Sequence, residues 1–151
     1  MFRSTLAVLS IVSATILSAC TGATVSFSPY SSVDAPPAQV TSQAIEIRPG
    51  DRKYLTKASP KVLGWVSSQG EPGDPAIVEA AKVEAAKRGG THILLRGSEK
   101  ELSVDNMPLL PGTQIDESLR ATYVVLRVSP GDWGGLPDVL QPKALTAPSV
   151  R

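Results

Sequence analysis

The chain has 151 residues, with 15 Lys and Arg against 14 Asp and Glu, so its formal net charge is only +1. Such a balance leaves no strong field to recruit nucleic acid or an anionic membrane surface. One Cys and one His exclude an internal disulfide and a Cys/His metal cluster.

In chain order, the first feature is Arg3 followed by an apolar run from Leu6 to Leu17. A positive residue before a run of that length reads as a secretory signal. It is too short, and too rich in Ser and Thr, to span a bilayer, which takes about 20 apolar residues. The run ends in Leu17-Ser18-Ala19-Cys20, and this resembles the lipobox of bacterial lipoproteins. The resemblance implies a signal peptide over 1–19, cleavage before Cys20, and lipidation of Cys20 on its thiol and its new amino group. A multi-chain lipid is enough for stable attachment. Thr21, where an inner-membrane retention signal would place Asp, points to the outer membrane, facing the periplasm.

Residues 20–43 read as the lipidated Cys and a flexible tether, because the stretch is small, polar and broken by Pro29, Pro36 and Pro37. A free chain of that length has an end-to-end distance of roughly 27 Å. Phe27 and Tyr30 read as incidental aromatics near the membrane rather than as a docking motif. A single small domain is expected over 44–129. Ala44–Gly50 alternates, with Ile45 and Ile47 on one side and Glu46 and Arg48 on the other, and predicts a half-buried strand. Lys61–Gln69 predicts a second strand, whose interior Gly64 marks a bulge or a close backbone approach.

Asp74-Pro75 opens the clearest helix, with Asp74 as cap and Pro75 where a missing N–H costs nothing. Gly89 or Gly90 closes it in the left-handed conformation. Ile77, Val78, Ala81 and Ala85 fall on one arc and predict a close approach to a sheet; Ala86 is placed on the outer face. Thr91–Gly97 is a buried strand. Residues 98–119, with two prolines and no sustained period, read as a long loop. Arg120–Ser129 is the last strand, with Thr122, Val124, Leu126 and Val128 on one face and Tyr123, Val125 and Arg127 on the other. Residues 130–151 read as a flexible tail in which Trp133 caps one end of the core. The fold class is therefore α+β, a small β-β-α-β domain with one helix packed on a sheet.

Leu63-Gly64-Trp65-Val66, the Ala85-Ala86-Lys87-Arg88-Gly89-Gly90 turn and the strand Ala121–Val128 together resemble a family of small bacterial envelope lipoproteins, that of the stress-sensing outer-membrane lipoprotein of the Rcs phosphorelay. The resemblance covers about Val62 to Val128. It implies an α+β packing plan and a non-catalytic sensing or interaction role. That family's domain is held by disulfides, and this chain has no cysteine after Cys20, so disulfide-dependent sensing is not implied.

Residues able to do chemistry are few. No Gly-x-Ser-x-Gly elbow and no phosphate-binding glycine loop occurs. His92 lies in an apolar strand without a visible orienting partner, which predicts a hydrogen-bonded structural residue. Glu99, Glu101 and Asp105 match no cation-binding spacing and read as solvated charge. The expectation is a lipid-anchored, non-catalytic interaction or sensing module with no cofactor and no metal. Its partners would be membrane lipid through Cys20 and another envelope protein. The alternative is a small ligand binder or enzyme using 98–119 as a lid, with His92, Tyr123 and the loop carboxylates converging. The residue inventory predicts that neither dithiothreitol nor EDTA shifts the melting temperature; a fall of several degrees with EDTA would reveal a metal site.

Overall fold

The computed structural model describes residues 22–31, 37–103 and 116–145. The signal segment 1–19, Cys20 and Asp105 lie outside the described residues. Five strands and two α-helices follow in the order β1 (Thr24–Pro29), β2 (Ile45–Ile47), α1 (Arg52–Lys57), β3 (Lys61–Gly70), α2 (Ala76–Lys87), β4 (His92–Ser103) and β5 (Asp116–Arg127). The strands form one mixed sheet in the order β1-β3-β5-β4-β2. Only β2 and β4 run parallel; the other three pairings are antiparallel. The α+β class and the helix-on-sheet plan hold, but the expected single helix is joined by a second, α1, between β2 and β3, and the sheet gains β1 at its N-terminal end.

Helix α2 begins and ends on its sequence signals. The Asp74 side chain accepts the Ala76 N–H at 2.8 Å, and the Asp74 carbonyl accepts the Ile77 N–H. At the other end Gly89 has φ +79°. Its N–H reaches the Ala86 carbonyl, while the Gly90 N–H reaches that of Ala85 at 2.8 Å. That pair of bonds is a Schellman closure, and it needs the left-handed residue that glycine supplies without strain. On the surface Glu84 and Arg88 pair at 2.9 Å, worth a few tenths of a kcal/mol.

The helix lies on one face of the sheet. Ile77, Ala81 and Ala85 meet Val66, Ile93, Ala121, Tyr123 and Val125 in one apolar cluster. Ser68, fully buried, donates its hydroxyl to the Ile77 carbonyl at 2.7 Å and ties β3 to the helix. The second face carries its own cluster: Ile47, Leu126 and Val128 beneath Leu55 of α1 and Leu136 and Leu140 near the C-terminus. The two faces of β5 are the two read from its alternation.

Four expectations are corrected. The tether over 20–43 contains β1, which pairs with β3 from Thr24↔Gln69 to Pro29↔Gly64. Val25 and Phe27 pack on the α2 cluster, so Phe27 is a packing residue. Tyr30 stays 67% exposed, with its ring 5.7 Å from that of Trp65. Gly64 is what lets β1 approach: a Cβ there would land on the Ser28 carbonyl and the Phe27 ring. A register shift between Val62 and Gly64 adds the expected bulge.

The long loop over 98–119 is, on both flanks, a hairpin. β4 and β5 pair from His92↔Leu126 out to Ser103↔Asp116. Its outer part passes β3's last residue, Gly70, which pairs with Leu119. Both faces of that part are solvated, so no apolar alternation signals it.

The flexible tail over 130–151 is folded through residue 145. Two 3-10 turns, Pro130–Gly135 and Asp138–Leu140, place Leu136 and Leu140 in the second cluster. Trp133 packs on that cluster, as a cap on the core should, and donates its indole N–H to the Val128 carbonyl at 3.1 Å.

Finally, Ala86 is fully buried rather than on an outer face. Residues 37–44 lie along that side of α2: the Ala44 N–H donates to the Lys82 carbonyl at 3.1 Å, and Pro37 sits over Gly89. Both Ala81→Leu and Ala86→Leu are therefore expected to destabilise by about 1–3 kcal/mol through overpacking. In a domain of this size each kcal/mol lowers the midpoint by about 4–8 °C. Val83, 39% exposed, is the neutral control; Val83→Ala should hold or slightly raise the melting temperature, because Ala favours helix. A melting temperature for Ala86→Leu equal to wild type would contradict this packing.

Candidate functional site

Among the described residues, those suspected of chemistry do not come together. His92 starts β4 and points to the second face, opposite Leu126 in register. Tyr123 belongs to the α2 cluster on the other face. Glu99 and Glu101 lie well out along the β4–β5 hairpin.

Both nitrogens of His92 are occupied. Nε2 lies 2.8 Å from the Leu140 carbonyl, and a carbonyl only accepts, so Nε2 carries the proton. Nδ1 then accepts from the Thr91 hydroxyl at 2.8 Å. The Thr91 oxygen in turn accepts the Val128 N–H at 2.9 Å. The side chain is completely buried. Burial pushes the imidazole below its ordinary range, against the opposing effect of the Leu140 hydrogen bond. The ring is neutral and fully partnered, with no lone pair left to take a proton from a substrate. Tyr123 is also kept protonated: burial, and then the negative charge of Glu46, raise its pKa.

Glu101 sits in an exposed polar cluster. It meets Arg120 at 3.0 Å and accepts from Gln69 at 2.9 Å, while Gln69 also donates to Ser118 at 2.9 Å. An exposed pair of this kind contributes at most about 1 kcal/mol. Among the described residues no group of three or more His, Cys, Asp or Glu gathers to hold a metal.

Among the described residues two concavities stand out. The larger, about 620 Å³, runs along edge strand β2. Its charged lining interleaves Glu46, Asp51 and Asp138 with Arg48, Lys82 and Lys143, beside the exposed Val139. The smaller, about 330 Å³, lies on the sheet by Thr24, Ser26, Ser67, Gln69 and Arg120. There Ser67 and Thr122 hydrogen-bond across β3 and β5 at 3.2 Å. The chain's one imidazole lines neither of them. Open edges and mixed polar surfaces of this type suit recognition by contact. Sequence reading missed both places. The alternation Thr24-Val25-Ser26-Phe27 was the available signal for the smaller one. The larger is assembled from three separate segments, residues 42–51, Lys82 and residues 138–143, and has no local signature.

Because His92 is the only histidine, it isolates one titration. Its folded-state pKa is depressed below 6.5, so the unfolded chain takes up the proton first as pH falls. Stability is then full above about 6.5 and is lost as pH drops through that value toward the folded-state pKa. Urea midpoints at pH 7.5 and 5 should differ in wild type. His92→Gln should be less stable at pH 7.5, by about 1–3 kcal/mol for a broken buried network, and should lose the difference between the two pH values. An unchanged pH difference in the variant would refute the assignment.

Comparison with protein-family models, with curated proteins and with solved structures finds no match to this chain.

Proposed function

We propose that this chain is a bacterial envelope lipoprotein, fixed to the outer membrane by lipid on Cys20, whose domain acts as a non-catalytic interaction or sensing module. Attachment is supported by Leu17-Ser18-Ala19-Cys20 after a positive residue and an apolar run. The observation that carries the non-catalytic reading is the buried His92, with both ring nitrogens engaged by Thr91 and Leu140. The reading as an enzyme lidded by 98–119 draws no support from the hairpin flanks, which pair strand to strand. The resemblance to envelope lipoproteins points the same way, and the motifs that carry it serve packing here. Gly64 admits β1, and Gly89-Gly90 closes α2.

The test is metabolic labelling with an alkyne fatty acid in a bacterial host. Wild-type protein should take up label and fractionate with membranes. Cys20→Ser should lose the label and stay unprocessed. A wild-type chain that is unlabelled and wholly soluble would overturn the proposal.

A further inference from the structure

Lipid on Cys20, the premise carried over from the proposed function, has a geometric consequence once the chain beyond it folds at once. Gly22 lies against Gly70 at the end of β3, and Ala23 already belongs to the α2 cluster. Two residue steps separate Cys20 from Gly22, a reach of at most about 7 Å. One headgroup layer is about as thick, from the difference between a hydrocarbon core of ~30 Å and a whole bilayer of ~40–45 Å. The acyl chains cannot enter the hydrocarbon without bringing the Gly22–Gly70 end of the sheet to the headgroups.

The strand register says what else lies at that end. Thr24 is level with Gln69, Gln69 with Arg120, and Arg120 with Glu99. From that level β5 extends four residues further, to Asp116, and β4 four further, to Ser103. At about 3.3 Å per residue the two arms pass the level of Thr24 by ~13 Å, in the direction in which the chain runs back from Thr24 to Gly22. On this projecting arm Leu102 is an apolar side chain 62% exposed. The charges beside it are mainly acidic: Glu101, Asp116 and Glu117 against Lys100. Attraction to anionic lipid therefore does not hold the arm down; the short covalent link does.

We infer that the domain stands on the bilayer by the end of the sheet that carries Gly22, Gly70 and the β4–β5 arm, with Leu102 at the lipid interface. The cleft beside β2 is then turned away from the membrane. His92, next to that cleft through Leu140, sits ten residues before Leu102 along β4, about 33 Å by strand rise. The partner fitted by the arm is the lipid surface itself, and the surface left free for a second protein is the distal one.

Cys20 is the only native cysteine, so a second, introduced cysteine is the single free thiol of the lipidated protein. Leu102→Cys and Val139→Cys, 62% and 71% exposed at opposite ends of the domain, are each labelled with an environment-sensitive fluorophore. The full lipidated chains are reconstituted into phosphatidylethanolamine–phosphatidylglycerol vesicles containing a quencher-bearing lipid. The label at position 102 should be quenched severalfold more than the label at 139. Equal quenching, or stronger quenching at 139, in protein that floats with the vesicles and carries fatty acid, overturns the orientation and leaves the anchor standing. Protein that neither floats nor carries fatty acid overturns the Cys20 anchor, and the orientation with it.

Discussion

The imidazole of His92 joins three separate parts of the chain at one buried point. Thr91 links it to the end of β5 through the Val128 N–H, and its own Nε2–H holds the Leu140 carbonyl. Leu140 and Leu136 are what cover Ile47, Leu126 and Val128 on the second face of the sheet. Without that cover, a row of apolar side chains on β2 and β5 would meet water. The cost of burying a polar ring is offset because each of its nitrogens has a partner; were either partner lost, the ring would be a buried unsatisfied group.

The opposite face is sealed by small residues instead of a polar joint. Ala81 and Ala85 let α2 lie close over Val66, Ile93 and Val125, and Gly90 turns the chain where a Cβ would strike the Val125 side chain. The same economy of size recurs at Gly64, where β1 crosses close to β3. With both faces engaged in this way, several buried polar residues serve the fold. Ser68 ties β3 to α2 and Thr91 ties β4 to β5. Among the described residues the open surfaces include edge strand β2 with its cleft, the polar patch beside β1, and the hairpin arm.

Much of this was legible in local pattern. The limits of α2 followed from Asp74-Pro75 and Gly89-Gly90, because caps and left-handed turns demand particular residue types at particular offsets. The two faces of β5 followed from period-two alternation, and the structural role of His92 from its place in an apolar strand. β1 was legible in Val25 and Phe27 but was masked by neighbouring Pro and Ser. The hairpin arm was not legible, since a strand solvated on both faces has no reason to alternate. Ala86 could not be phased correctly either. The face it occupies is covered by residues 37–44, which have no helical or strand period of their own.

The sequence by itself determined the α+β class, the long helix α2, the two faces of its last strand and the absence of any second cysteine or histidine. These depend on local sterics, hydrogen-bond geometry and composition, which act over a few residues. Only the tertiary structure decided that the N-terminal stretch is an edge strand, that the C-terminal stretch closes the second face, and that His92 meets Leu140. Those outcomes rest on contacts between residues tens of positions apart, such as the 48 separating His92 from Leu140. Their free energy comes from apolar surface that each segment cannot bury alone, so nothing in the segment's own pattern announces them.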